Sequence, residues 1–218
     1  LAAGAAEMAT HAERALAGDP AVPTGSFLER EAPFGAMDDD LLRDRLFTEA
    51  LRLNDLIEKL DKNPTSVMFS SRSMSAAEMR MHGRSEAALH RWDLVGDDDI
   101  SSELLAQPEL TLHAVTVLNS MVSGSPESPV ARLEAAAGPF ETAPLVFGSP
   151  DQPDVVLVAD GPETHFEISE PSPCPAVTAD AATRLLALWG RRSLKNTLTW
   201  NVHDATANWM SAFLWCGR

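Results

Sequence analysis

A carboxylate and an imidazole stand four residues apart in RSEAALHRWD, the segment from Arg84 to Asp93. In a helix, Glu86 and His90 project from nearly the same face, one turn apart. Carboxylate oxygen and imidazole nitrogen are both zinc ligands, so the pair could hold one divalent ion. The same spacing is also typical of an ordinary salt-bridged helix surface. The spacing alone leaves both interpretations open.

A catalytic zinc site commonly uses three protein ligands and keeps a fourth position open for water or substrate. Glu86 and His90 therefore need a third ligand from elsewhere in the chain. His82 is not that ligand, because eight helical residues place it about 12 Å from His90 along the axis. We expect His82 either to be solvated or to contact a metal ligand without binding the metal itself.

The first half of the chain has the composition and periodicity of helices. Residues 1–17 are rich in helix formers and end at Gly18-Asp-Pro20, where Gly can cap a helix and Pro cannot continue one. A second helix is predicted from Asp38, a suitable N-cap, to Asn63-Pro64, because its leucines recur at helical spacing.

The helix that carries the Glu86 and His90 pair has the clearest boundaries. Ser75 and Glu78 form a predicted capping box at its start, and Gly96 stands where a left-handed cap belongs. A fourth helix is predicted from about Glu103 to Met121, with a break at Pro108. Four helices joined by loops predict a helical bundle over residues 1–122.

The second half of the chain has a different pattern. Residues 123–144 are rich in Pro, Gly and small side chains, which is typical of a linker. The following stretch predicts a small α+β domain over residues 145–218. Its predicted strands are 154–159, 164–169 and 197–203, and its predicted helices are 179–190 and 205–215.

The overall charge argues against nucleic acid and membrane partners. The chain has 17 basic and 32 acidic residues and a formal charge of −15. Such a surface repels nucleic acid and anionic lipid, and no apolar run reaches the roughly 20 residues that span a bilayer. Cys174 and Cys216 lack metal-binding spacing and are predicted to be free thiols. We expect a cytoplasmic protein.

The segment from Glu86 to Asp93 resembles the E-x-x-x-H-R-x-D motif of the mycothiol-dependent maleylpyruvate isomerase family, which belongs to the DinB-like metal-binding bundles. LAAGAAEM, at Leu1, resembles the stretch that follows the first metal-ligand histidine of that family. LLALWGR, which ends at Arg191, resembles a helix of the family's sterol-carrier-like C-terminal domain. The resemblance implies an α+β protein with a DinB-like four-helix bundle followed by that domain.

The resemblance also implies roles for particular residues. Glu86 and His90 would be metal ligands, and a third ligand, a histidine, is expected just before Leu1. His11 and His113 are weaker alternatives for that third position. There are two further candidates. Asp93, three residues after His90, could orient a ligand histidine from outside the coordination sphere. Arg191, with Arg192 beside it just after the predicted helix of the C-terminal domain, could face an anionic substrate. Basic residues after a helix are also favourable without any function.

The activity that the resemblance implies depends on a divalent metal, expected to be Zn²⁺, and on mycothiol as the thiol cosubstrate. The metal would favour the thiolate, which would add to the double bond of a small electrophile such as maleylpyruvate. Rotation and loss of the thiolate would isomerise the substrate, whereas retention of sulfur would make the reaction an S-transfer. We expect a monomer or small homo-oligomer. The alternatives are a non-catalytic binding or regulatory module without metal, and a metal-dependent hydrolase.

Overall fold

The protein has a mixed α+β fold, as the sequence predicts. The computed structural model describes residues 1–70, 72–122, 144–158, 164–192 and 199–201, which form seven helices and two small sheets. The chain divides into two compact units, Leu1–His90 and Arg91–Arg218. Apart from Pro144, the predicted linker lies outside the described residues, so the predicted domain boundary at 122–145 stays a prediction.

Three long helices and a small hairpin build the first unit. Helix α1 spans Ala2–Ala17, α3 spans Asp39–Lys62, and α4, Ala76–Val95, contributes the part up to His90. The short helix α2 spans Phe27–Gly35, and the antiparallel strands β1 and β2 span Val67–Phe69 and Arg72–Met74.

The predicted ends of the long helices are confirmed. Gly18 closes α1 in the left-handed conformation, with φ of 74°. The Asp38 side chain accepts a hydrogen bond from the Leu41 amide at the start of α3, which ends at Asn63. Helix α4 begins after Ser75, and Gly96 follows it with φ of 76°. Local capping chemistry therefore determines these boundaries.

Helix α2 and the β1–β2 hairpin were not predicted from the sequence. Helix α2 has nine residues and contains Pro33, so its apolar periodicity is weak. Its start carries a complete capping box of Ser26 and Glu29, the one sequence signal that could have revealed it. The two strands have three residues each, too few to show an alternating pattern.

Apolar side chains from α1, α3, the hairpin and the start of α4 form the core of the first unit. Helix α1 packs against α3, and β1 packs against α1. The burial of these residues supplies most of the stabilising free energy of this unit. The buried cluster comprises Met8, Ala9, Ala12, Leu53, Leu56, Ile57, Leu60, Val67, Phe69, Met74 and Met79.

A five-stranded sheet and short helices build the second unit. The described helices after α4 are α5, Asp99–Leu105, α6, Pro108–Val122, and α7, Ala181–Leu188. The strand order is β5-β4-β3-β6-β7, with only the β3–β6 pair parallel. Helix α6 packs against β5 and α7, and α5 packs against α7. The strands are β3, Leu145–Ser149, β4, Gln152–Val158, β5, His165–Ser169, β6, Val177–Thr178, and β7, Thr199–Trp200.

Most predicted elements of the second unit correspond to observed ones. Pro108 occupies the first position of α6, where its missing N–H costs nothing, so the predicted break is confirmed. The predicted strands at 154–159 and 164–169 match β4 and β5, and Gly190 follows α7 with φ of 63°. Strands β3 and β6 were missed. The predicted helix 205–215 lies outside the described residues.

No helix among the described residues is both long and apolar enough to cross a membrane.

Candidate functional site

The predicted ligand pair lies on α4, which is held at its start by its capping box. The Ser75 amide donates to Glu78 Oε2 at 2.7 Å, and the Glu78 amide donates to Ser75 Oγ at 3.3 Å. Glu86 and His90 follow in the third and fourth turns, where Glu86 Oε2 lies 3.4 Å from His90 Nε2. Their side chains are 36% and 35% exposed.

The 3.4 Å separation suits two ligands of one tetrahedral ion. With metal–ligand bonds of about 2.0–2.1 Å, neighbouring donor atoms of a tetrahedron stand about 3.3–3.4 Å apart. An octahedral arrangement with the same bonds would bring the donors to about 2.9 Å. The donor types and their separation are compatible with two positions of a tetrahedral zinc ion and also with an ordinary i, i+4 pair on a helix surface.

The other two histidines of the first unit, His11 and His82, both pack against the ring of Phe69. The His82 ring centroid lies 5.8 Å from that of Phe69, and the His11 ring meets Phe69 edge-on at 5.6 Å. Burial lowers the pKa of His82, with Arg72 adding to that effect and Glu86 partly opposing it. His82 is therefore partly buried and packed against an aromatic side chain.

A third ligand is not apparent among the described residues. No group of three or more His, Cys, Asp or Glu side chains that could hold an ion lies within these ranges. His11 is buried beside Phe69, and His113 is buried on α6 in the second unit. Cys174 is an exposed free thiol, and Cys216 is outside the described part of the chain. The roles of Glu86 and His90 as ligands remain predictions.

Asp93 forms an ion pair with Arg191, which was singled out independently from the sequence. Arg191 Nε lies 2.9 Å from Asp93 Oδ1, and Arg191 Nη2 lies 3.1 Å from Oδ2. Arg191 follows Gly190, the residue that ends the α7 region. The ends of the two sequence segments that carry the family resemblance therefore contact each other directly.

Arg91, the neighbouring arginine of α4, pairs with Asp98. Arg91 donates to both carboxylate oxygens of Asp98 at 2.7 Å and also contacts Ser101 Oγ. Asp98 is in turn the N-cap of α5, accepting from the Ser101 amide at 2.6 Å. The Arg91 guanidinium, followed by the Ser101 hydrogen bond, holds the pKa of Asp98 well below its usual range.

Trp92, Asp97 and Arg192 form a cluster that the sequence did not reveal. Trp92 Nε1 donates to Asp97 Oδ1 at 2.8 Å, Arg192 pairs with Asp97, and the Arg192 guanidinium lies 5.8 Å from the Trp92 ring centroid. The Trp92 hydrogen bond, with help from Arg192, lowers the pKa of Asp97. Trp92 is thus half-buried and hydrogen-bonded through its indole nitrogen.

A cavity of about 470 Å³ adjoins this cluster in the second unit. Its walls are Trp92, Asp97 and Arg192 on one side and the first turn of α7 on the other, with Leu105 and Leu186 among its apolar residues. An apolar pocket with a few polar groups is the usual form of a small-molecule site. The i, i+5 spacing of Trp92 and Asp97 was the available sequence signal, but Arg192 comes from a distant segment.

No known protein-family model, characterised protein or solved structure matches the chain. The family resemblance therefore depends on the motif residues and remains a prediction.

Proposed function

We propose that the protein is a zinc-dependent, mycothiol-using isomerase or thiol S-transferase that acts on a small electrophile of the maleylpyruvate type. The observation that carries this proposal is the 3.4 Å separation of Glu86 Oε2 and His90 Nε2 on one helix. That separation matches the donor spacing of a tetrahedral ion. The resemblance of the surrounding residues to the isomerase family implies the reaction, the addition of a thiol to an electrophile.

The proposal includes the family's architecture of a DinB-like bundle and a sterol-carrier-like domain. Glu86 and His90 would hold the ion, and the family resemblance implies a histidine as the third ligand. A divalent ion held in this way would favour the thiolate form of mycothiol at neutral pH.

Arg191 would bind the anionic end of the electrophile. Its Nε and Nη2 groups are committed to Asp93, which fixes the plane of the guanidinium and leaves Nη1 for another acceptor. Asp93 would then act as a positioning residue for Arg191, in addition to the predicted role near His90. A bidentate pair restricts rotation of the guanidinium more than a single hydrogen bond does.

Elemental analysis of the full-length protein tests the metal site. We expect close to one zinc per chain in the wild type and loss of that zinc in both Glu86→Ala and His90→Ala. His165→Ala is the matched control, because His165 is 41% exposed and also pairs with a glutamate, Glu167. Absence of metal from the wild type would overturn the catalytic proposal and favour the non-catalytic binding module.

Assays with and without mycothiol then test the reaction class. An isomerase should need the thiol without consuming it, whereas a transferase should leave sulfur on the product. Arg191→Met should raise KM more than it lowers kcat if Arg191 binds the substrate anion. Turnover of esters or amides without any thiol would contradict the proposal and indicate a hydrolase.

A further inference from the structure

A second cavity lies in the first unit, in the surface formed by the C-terminal half of α1, the loop that follows it and strand β1. Its volume is about 250 Å³, and its walls include His11, Arg14, Val22, Thr65 and Met68. Neither Glu86 nor His90 contributes to it. The argument for a ligand here is therefore independent of the proposed metal site and of the proposed function.

His11 brings a buried imidazole to this cavity. The residue is 5% exposed, and its ring packs edge-on against Phe69. Its nearest carboxylate oxygen, Glu7 Oε1, lies 3.8 Å from Nε2, which is too long for a hydrogen bond. Within the described residues His11 has no hydrogen-bond partner. Because His11 lines the cavity, its imidazole offers a hydrogen-bonding group to a ligand there.

Arg14, one turn further along α1, presents a guanidinium to the same cavity. Its Nε and Nη2 groups donate to the Pro20 carbonyl at 3.3 and 2.8 Å, so the loop holds the guanidinium in place. Its Nη1 atom lies 4.0 Å from Asp19 Oδ2, beyond hydrogen-bonding distance. A ligand oxygen that comes closer to Nη1 than Asp19 does could accept a hydrogen bond from it.

Among the described residues, two charged side chains line the cavity, Arg14 and Asp19. Glu7, the acidic residue nearest His11, is already compensated by Arg30, whose Nε lies 2.9 Å from Oε2, and by the Gly25 amide at 2.6 Å. Asp19 faces Arg14 from a more exposed position. The remaining walls include the apolar side chains of Ala15, Val22 and Met68. A bound molecule should therefore have one anionic end and a short apolar body.

We propose that this cavity binds a small carboxylate, with its oxygens on Arg14 and His11 and its hydrocarbon part against Val22 and Met68. Carboxylate is preferred because guanidinium and imidazole are both donors that pair well with planar oxygen acceptors. The volume of about 250 Å³ lies below the range of drug-sized sites, so the ligand is short-chained.

Titration of the full chain with butyrate tests this proposal, with butylammonium as a probe of equal length and opposite charge. We expect saturable binding of butyrate, NMR shifts centred on Ala15, Asp19 and Met68, and no comparable binding of butylammonium. Arg14→Met should weaken butyrate binding by at least about tenfold, because a charge-assisted hydrogen bond is lost. Arg43→Met is the matched control, since Arg43 is a 62% exposed arginine of α3 that pairs with Asp40, and it should bind as the wild type does.

Two further variants keep the test decisive. Val22→Trp, at a 40% exposed position of the cavity wall, should fill the cavity and abolish binding without disturbing the core. Glu86→Ala should bind butyrate normally, because the two sites are separate. Equal binding of butylammonium, unchanged affinity in Arg14→Met, or shifts centred away from α1 would overturn the proposal, whatever the outcome of the zinc analysis.

Discussion

Arg191 donates through Nε and Nη2 to the two carboxylate oxygens of Asp93, although 98 positions separate these residues in the chain. The Arg191 side chain is 17% exposed and that of Asp93 is 33% exposed. A bidentate pair with this degree of burial is stronger than a typical surface ion pair, because its geometry is fixed and solvent screens it less.

Replacing Asp93 by Asn should destabilise the protein. The substitution leaves a mostly buried guanidinium without its anion, so we expect a loss of about 1–3 kcal/mol in the free energy of unfolding. Urea denaturation measures the change. Asp44→Asn, at an exposed position of α3, is the control and should stay within about 0.5 kcal/mol of the wild type. If Asp93→Asn and Arg191→Met have additive effects in a double-mutant cycle, the pair does not contribute to stability as described.

The burial of His82 predicts a specific loss of stability in mild acid. Its pKa in the folded protein lies below the ordinary value of 6.5. Above that value both the folded and the unfolded chains carry neutral His82, and below it the unfolded chain takes up the proton first. The free energy of unfolding should therefore fall as the pH falls from 6.5 toward the lower folded-state pKa.

Urea denaturation at pH 7.5 and pH 5.5, with a chelator present to keep bound metal from contributing, checks this prediction. His82→Gln should have a shallower pH dependence than the wild type, and His165→Gln, which replaces an exposed histidine, should retain the wild-type slope. Parallel pH profiles for the wild type and His82→Gln would show that His82 is not the responsible group.

Cobalt substitution should reveal the coordination geometry of the proposed metal site. The 3.4 Å spacing of Glu86 Oε2 and His90 Nε2 corresponds to a tetrahedral edge. We therefore expect Co²⁺ bound to the full-length protein to show the intense visible absorption of tetrahedral cobalt. Added zinc should displace it, because zinc prefers the same geometry. A weak octahedral spectrum, or an intense spectrum that survives in His90→Ala, would contradict the proposed ligands.

Removing the cap of α4 should weaken the helix that carries the proposed ligands. In Ser75→Ala the Glu78 amide loses its side-chain acceptor, and we expect a loss of about 1 kcal/mol in unfolding free energy. Ser73→Ala is a matched control two residues earlier, at an exposed position of β2, and should change stability by less than about 0.5 kcal/mol. Equal effects of the two substitutions would mean that the capping box is not important for α4.

Helix boundaries were predictable because they depend on interactions within a few residues. Asp38 and Ser75 precede the first residues of helices, as N-caps do. The chain adopts a left-handed conformation just after three helices, and glycine occupies each of these positions: Gly18, Gly96 and Gly190. Strands β3 and β6 were harder to predict from the sequence, because they pair with each other across distant parts of the chain. Phe147 pairs with Val177, and Gly148 pairs with Thr178. A two-residue strand such as β6 has no periodicity of its own.

The candidate site shows the same division between local and long-range information. The sequence by itself determined that Glu86 and His90 share one helix face, because helical geometry places residues four apart one turn from each other. The tertiary structure alone decided that Asp93 pairs with Arg191, that Arg192 joins Trp92 and Asp97, and that His11 and Arg14 meet β1 around a cavity. These relationships depend on how distant segments pack, which cannot be predicted from a local pattern of residues.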